Sequence, residues 1–150
     1  MAGSRDGLRR MFVDAMDEAA ARGDRRIGTD HLLLGLLADP GTRAAGALGI
    51  SLGQARDACS QLDRGALEWI GLEVDLPRPN RAAPRAGRLP LTPAARQVLS
   101  GARHEAHALR VKPDHVALAL LRSSAPDPAA QVLDLLSVDR AHAEVTLRAC

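Results

Sequence analysis

The chain has 150 residues, 46% of them apolar, only two aromatic side chains (Phe12 and Trp69) and a formal net charge of +2. That length and apolar fraction fit one domain with a sizeable core of Leu, Ala, Val and Ile, a composition that favours helix. The charge is too small to argue for a nucleic-acid protein; no apolar run reaches the roughly 20 residues that span a bilayer, and Met1–Arg10 lacks the apolar centre of a secretion signal. A cytoplasmic protein is therefore expected.

In chain order, Leu8, Phe12, Ala15, Met16, Ala19 and Ala20 recur at intervals of three and four, which predicts a helix over Leu8–Arg22 closed by Gly23-Asp24. Thr29 is the expected N-cap of a second helix. Asp30 then falls in its first turn, where a carboxylate complements the dipole, and Leu32, Leu33, Leu36 and Leu37 form its buried face. Asp39-Pro40-Gly41 ends that helix. Ala44–Leu48 reads as a short third helix, Gly49-Ile50 as a turn, and Ser51 caps a fourth helix running to Leu62 or beyond.

The same order then repeats. Asp114-His115-Val116-Ala117-Leu118-Ala119-Leu120-Leu121 mirrors Asp30-His31-Leu32-Leu33-Leu34-Gly35-Leu36-Leu37, and Glu105-Ala106 mirrors Glu18-Ala19. Helices are predicted over Thr92–Leu109, Asp114–Arg122, Pro128–Leu136 and from Ser137 or Asp139 to Ala149, with Thr92-Pro93 as a cap followed by proline at the first helical position. Aligning the glutamates needs an offset of 87 and aligning the aspartates one of 84, which places a three-residue deletion in the first loop of the second copy. Each copy alone would expose its leucine face. The prediction is all-α: two four-helix repeats, at about 8–66 and 91–150, related by a pseudo-twofold axis and sharing one core within a single domain, 1–150.

Residues 67–90 separate the copies. Proline at positions 77, 79, 84 and 90 forbids continuous helix, and Arg78, Arg81, Arg85 and Arg88 keep the segment in solvent. Without stacking aromatics it reads as a solvated linker before it reads as an electrostatic arm for nucleic acid or an acidic partner.

Two segments resemble a known family. Ile27-Gly28-Thr29-Asp30-His31-Leu32-Leu33-Leu34-Gly35-Leu36-Leu37 is similar to the IGTEHLLLGLL motif of the Clp N-terminal domain, the double-repeat module at the front of ClpA- and ClpC-type AAA+ unfoldases. Leu91-Thr92-Pro93-Ala94-Ala95-Arg96-Gln97-Val98-Leu99 resembles the FTPRAKKVL opening of that family's second repeat. The resemblance implies a non-catalytic domain that receives substrates, adaptors and, in actinobacterial ClpC, cyclic peptide antibiotics. No G-x-x-x-x-G-K-[ST] phosphate loop occurs, so the expected protein is free-standing and without ATPase modules. The resemblance places a peptide groove between the repeat starts, lined here by Leu8, Phe12, Leu91, Ala95 and Trp69, with Arg9 and Arg96 at its rim. It also implies a phosphoarginine or cation site at the acids that match the family's glutamates, Asp30 and Asp114, with Thr92. Ser4-Arg5 stands where the family has Phe-Thr, so Asp114 with Thr92 is the pair expected to retain such a site. Lys112-Pro113 replaces the Gly-Thr before the second acid.

Other constellations carry less. His104-Glu105-Ala106-His107 has its histidines three apart, with Ala108 where a zinc-protease helix needs its second ligand, and no metal or cofactor is expected. Cys59 and Cys150 lack CxxC spacing and read as free thiols. His31 and His115 are expected to bond backbone or pack rather than catalyse. The functional expectation is a monomeric peptide- or protein-binding module serving the Clp protease through an unfoldase, adaptor or substrate. The alternatives are a sequestering protein for a hydrophobic cyclic peptide that targets ClpC, and a regulatory or nucleic-acid binder acting through the arginine bridge.

Overall fold

The computed structural model describes residues 3–71 and 89–149, which form eight helices and one isolated parallel bridge. The helices are α1 (Gly3–Ala21), α2 (Thr29–Leu37), α3 (Arg43–Leu48), α4 (Leu52–Trp69), α5 (Pro93–Glu105), α6 (Pro113–Leu121), α7 (Pro128–Leu135) and α8 (Arg140–Arg148). Residues 72–88, most of the arginine and proline bridge, and Cys150 lie outside the described residues.

Local chemistry sets most of these boundaries. Gly23, at φ 75°, ends α1: its N–H reaches Ala20 O at 3.0 Å while Asp24 N–H reaches Ala19 O at 2.9 Å, the paired bonds of a left-handed helix stop. Ser51 caps α4 by accepting from Gln54 N–H, and the Gln54 side chain accepts the Ser51 N–H in return. Thr92 caps α5 by accepting from Ala95 N–H at 3.1 Å.

Two expected boundaries are corrected. The α2 N-cap is Gly28, not Thr29. Thr29 is buried instead, and its hydroxyl lies 2.9 and 3.0 Å from the carboxylate oxygens of Asp127, the N-cap of α7. A tertiary partner thus takes the hydroxyl that a local cap was expected to use. Helix α5 stops at Glu105 rather than Leu109 because His107 (φ 48°) and Ala108 (φ 64°) occupy the left-handed region. The deletion inferred for the first loop of the second copy is therefore absorbed by α5: the connections 22–28 and 106–112 are equal in length.

The packing has the symmetry that the repeat demands. Under exchange of α1–α4 for α5–α8, every helix pair in contact maps onto a pair in contact: α1·α2 onto α5·α6, α2·α7 onto α3·α6, α4·α7 onto α3·α8, α1·α6 onto α2·α5, and α2·α6 onto itself. Leu33, Leu36 and Leu37 and their counterparts Ala117, Leu120 and Leu121 are all buried in one continuous core. Helix α2, buried at every position but Asp30, forms its centre together with Val116, Ala117, Leu118, Leu120 and Leu121 of α6. Among the described residues no helix is long and apolar enough to cross a membrane.

Candidate functional site

Helix α1 presents Leu8, Phe12 and Met16, spaced four apart, along one flank of an open cavity of about 660 Å³. Ile27, Leu89, Leu91 and Val111 complete its apolar surface. The bridge fixes two of these: Ile27 N–H donates to Pro90 O, and Thr92 N–H donates to Ile27 O, both at 2.9 Å. These two bonds tie the connection before α2 to the connection before α5, so the groove has one wall from each repeat. Arg5, Arg9 and Arg110 stand around it. The volume suits a small-molecule or short-peptide site, and its apolar side chains offer desolvation with few competing polar groups.

The structure brings together some of the expected groove residues and separates others. Leu8, Arg9, Phe12 and Leu91 line the cavity. Ala95 does not, because it is fully buried in the core beneath α5. Arg96 is exposed on α5 outside the lining, and Trp69, 89% exposed at the end of α4, also lies outside it. Arg5, Val13, Met16, Ile27, Leu89, Arg110 and Val111 are lining residues that motif matching did not supply. Helical spacing from Leu8 was enough to find Met16, and the offset of 84 that relates the repeats maps Ile27 onto Val111. Arg110 follows only from the loop geometry that α5 adopts when it stops early.

A second, more polar cavity of about 520 Å³ surrounds the start of α2 and contains Asp30 and Thr92 together with Arg22, Asp24, Arg25, Arg26 and Asp63. The expected pairing of Asp114 with Thr92 does not form there. Asp114 lies on α6 with its carboxylate 3.8 Å from the Arg43 guanidinium, whose Nη2 also donates to the last carbonyls of α8 at Thr146, Leu147 and Ala149. Asp30 is answered as well: Arg22 pairs with Asp63 and holds its Nη1 3.7 Å from the Asp30 carboxylate. That buried Nη1 makes no hydrogen bond. Both acids therefore face a guanidinium of their own chain. Burial pushes the neighbouring Cys59 thiol up to about 11, against the opposing pull of Arg22, so it stays protonated and weakly nucleophilic.

The repeated histidines bond to backbone. Gly28 N–H donates to His31 Nδ1 at 2.9 Å, leaving Nε2 to carry the proton and donate to Asp24 at 2.7 Å. Lys112 N–H donates to His115 Nδ1 at 2.9 Å in the second repeat. A third depression, about 870 Å³, is lined by polar groups including Gln97, Ser100, His104, Arg122 and Ser123. Of its two acids, Glu105 is bound by Arg122 at 2.7 Å and Arg148 at 3.0 Å, and Asp127 accepts from the Thr29 hydroxyl. Among the described residues no group of three His, Cys, Asp or Glu side chains is placed to hold a metal ion.

Residues 6–136 match the Clp repeat (R) N-terminal domain family. The fold is similar to the crystal structure of the N-terminal domain of the caseinolytic protease associated chaperone ClpD from Arabidopsis thaliana, with a TM-score of 0.68 and 20% identity over 95% of this chain and 92% of that one.

Proposed function

This chain belongs to the Clp repeat N-terminal domain family, and from that premise we propose that it is a peptide-binding accessory of the Clp machinery that uses the groove beside α1. Its coarser character, a Clp-related protein-interaction module, comes with the family. The observation that carries the finer reading is the composition of the groove: Leu8, Phe12, Met16, Ile27, Leu91 and Val111 form an apolar surface joined across both repeats by the Ile27–Leu91 bridge. An apolar side chain of an unfoldase, adaptor or substrate segment buries there without stranding a polar group. The same surface suits a hydrophobic cyclic peptide, and sequestration of such an antibiotic is the second use we propose for it. A phosphoarginine site at Asp30 and Thr92 is the weaker proposal, since a ligand guanidinium must first displace Arg22.

Phe12 is the anchor to test, because it is half-buried against the core while still lining the cavity. Truncating a well-desolvated aromatic anchor typically costs about 2 kcal/mol or more of binding. Phe12→Ala should thus weaken an apolar peptide, measured by calorimetry, by about thirtyfold while the helical circular dichroism is retained. Unchanged affinity in a folded variant removes Phe12 from the site.

A further inference from the structure

Resting on the groove as the binding site, we propose that it selects segments in which acidic residues alternate with apolar ones, and discriminates against neutral and basic segments of the same apolar content. Part of the positive charge of this molecule is neutralised within the fold, and none of that part lies at the groove. Arg22, Arg56, Arg122, Arg140 and Arg148 each have a carboxylate partner, at Asp63, Glu18, Glu105, Asp134 and Glu105 respectively. Arg5, Arg9 and Arg110, the three that line the groove, form no ion pair among the described residues, and all three are exposed. No acid lines the groove; Asp6 and Asp14 of the same helix are not part of the lining.

Arg5 and Arg9 are also one turn apart on α1, where like charges repel. A carboxylate placed between them relieves that repulsion as well as pairing with a guanidinium. An extended peptide presents alternate side chains to opposite sides, so its apolar residues settle on Leu8, Phe12 and Leu91 while its acids remain at the wet rim near the arginines. Exposed rim pairs are individually weak and screened by salt, so they contribute selectivity and steering on top of the affinity supplied by apolar burial. Two or three such pairs together account for a preference of about tenfold.

Three nine-residue peptides carrying the same neutral dye test this: leucine alternating with glutamate, with glutamine or with lysine, each titrated against the full chain by fluorescence anisotropy. The glutamate peptide is expected to bind about tenfold more tightly than the glutamine peptide, with the lysine peptide weakest. That gap should narrow as salt rises from about 50 to about 500 mM. The double variant Arg9→Gln/Arg110→Gln should narrow it by weakening the glutamate peptide while leaving the glutamine peptide unchanged. Equal affinities for all three peptides, or an undiminished gap in the double variant, overturns the charge selectivity while leaving the groove as an apolar site. Failure of every peptide to bind overturns the groove reading itself.

Discussion

At the starts of α2 and α6 a histidine takes the position where a capping box usually has glutamate or glutamine. The ring nitrogen of His115 accepts the Lys112 N–H only while it is unprotonated, so the α6 cap depends on pH. For His115, burial lowers the pKa below its ordinary 6.5; Asp114 and Glu105 oppose that shift, while Lys112 and His107 reinforce it. Below about pH 6.5 the unfolded chain then binds a proton that the folded chain refuses. The contribution of His115 is fully present above that pH and is lost as pH falls through the depressed folded value. Glutamine retains an acceptor without titrating, so His115→Gln should flatten the fall in urea midpoint between pH 7 and pH 5 relative to the parent chain. An identical fall in both proteins would show that this cap does not titrate. The aspartate and histidine pair was legible in both repeats, and so was the backbone role of the histidines. That Arg22 and Arg43 answer the aspartates was not, because neither partner lies at helical spacing from its acid.

The helices themselves were largely readable because their signals are local: apolar spacing for α1 and α2, Ser51 for α4, Thr92-Pro93 for α5. What the pattern could not show is how closely the paired helices approach. A Cβ at Gly35 would sit 2.5 Å from the Met11 carbonyl oxygen and 3.1 Å from Ala15, so α2 crosses α1 in direct backbone contact. In the second repeat the small residue is on the other helix, where a Cβ at Gly101 would meet only the Ala119 methyl, at 3.4 Å. These two glycines should behave oppositely. Gly35→Ala must push the helices apart and should cost about 1 to 3 kcal/mol in urea titration. Gly101→Ala should be neutral or stabilise by up to about 1 kcal/mol, because alanine is the better helix former and little has to move. Equal effects from both substitutions would contradict the crossing described for α1 and α2. Thr29 was the opposite kind of error: it carried a convincing local cap signal, yet a partner 98 residues away takes its hydroxyl.

For the whole molecule, internal duplication was the decisive signal, since it foretold both the all-α class and the exchange symmetry of the helix contacts. The groove came from the family resemblance instead: of the residues it implied, Leu8, Arg9, Phe12 and Leu91 line the cavity, which also takes Leu89 and Arg110, brought to α1 only by the tertiary arrangement. Trp69 illustrates the limit: an isolated tryptophan invites a functional role, yet the end of α4 holds it outside the cavity. Its fluorescence is consequently a poor reporter of groove binding. The direct measurement is a nitrogen-proton correlation spectrum of the full chain titrated with an apolar nine-residue peptide. Saturable shifts should concentrate on Leu8–Met16, Ile27, Leu91 and Val111. Saturable shifts confined instead to the polar depression around Gln97, Ser100 and Ser123, or to Trp69 and Ile70, would contradict the groove as the place where this protein meets its ligand.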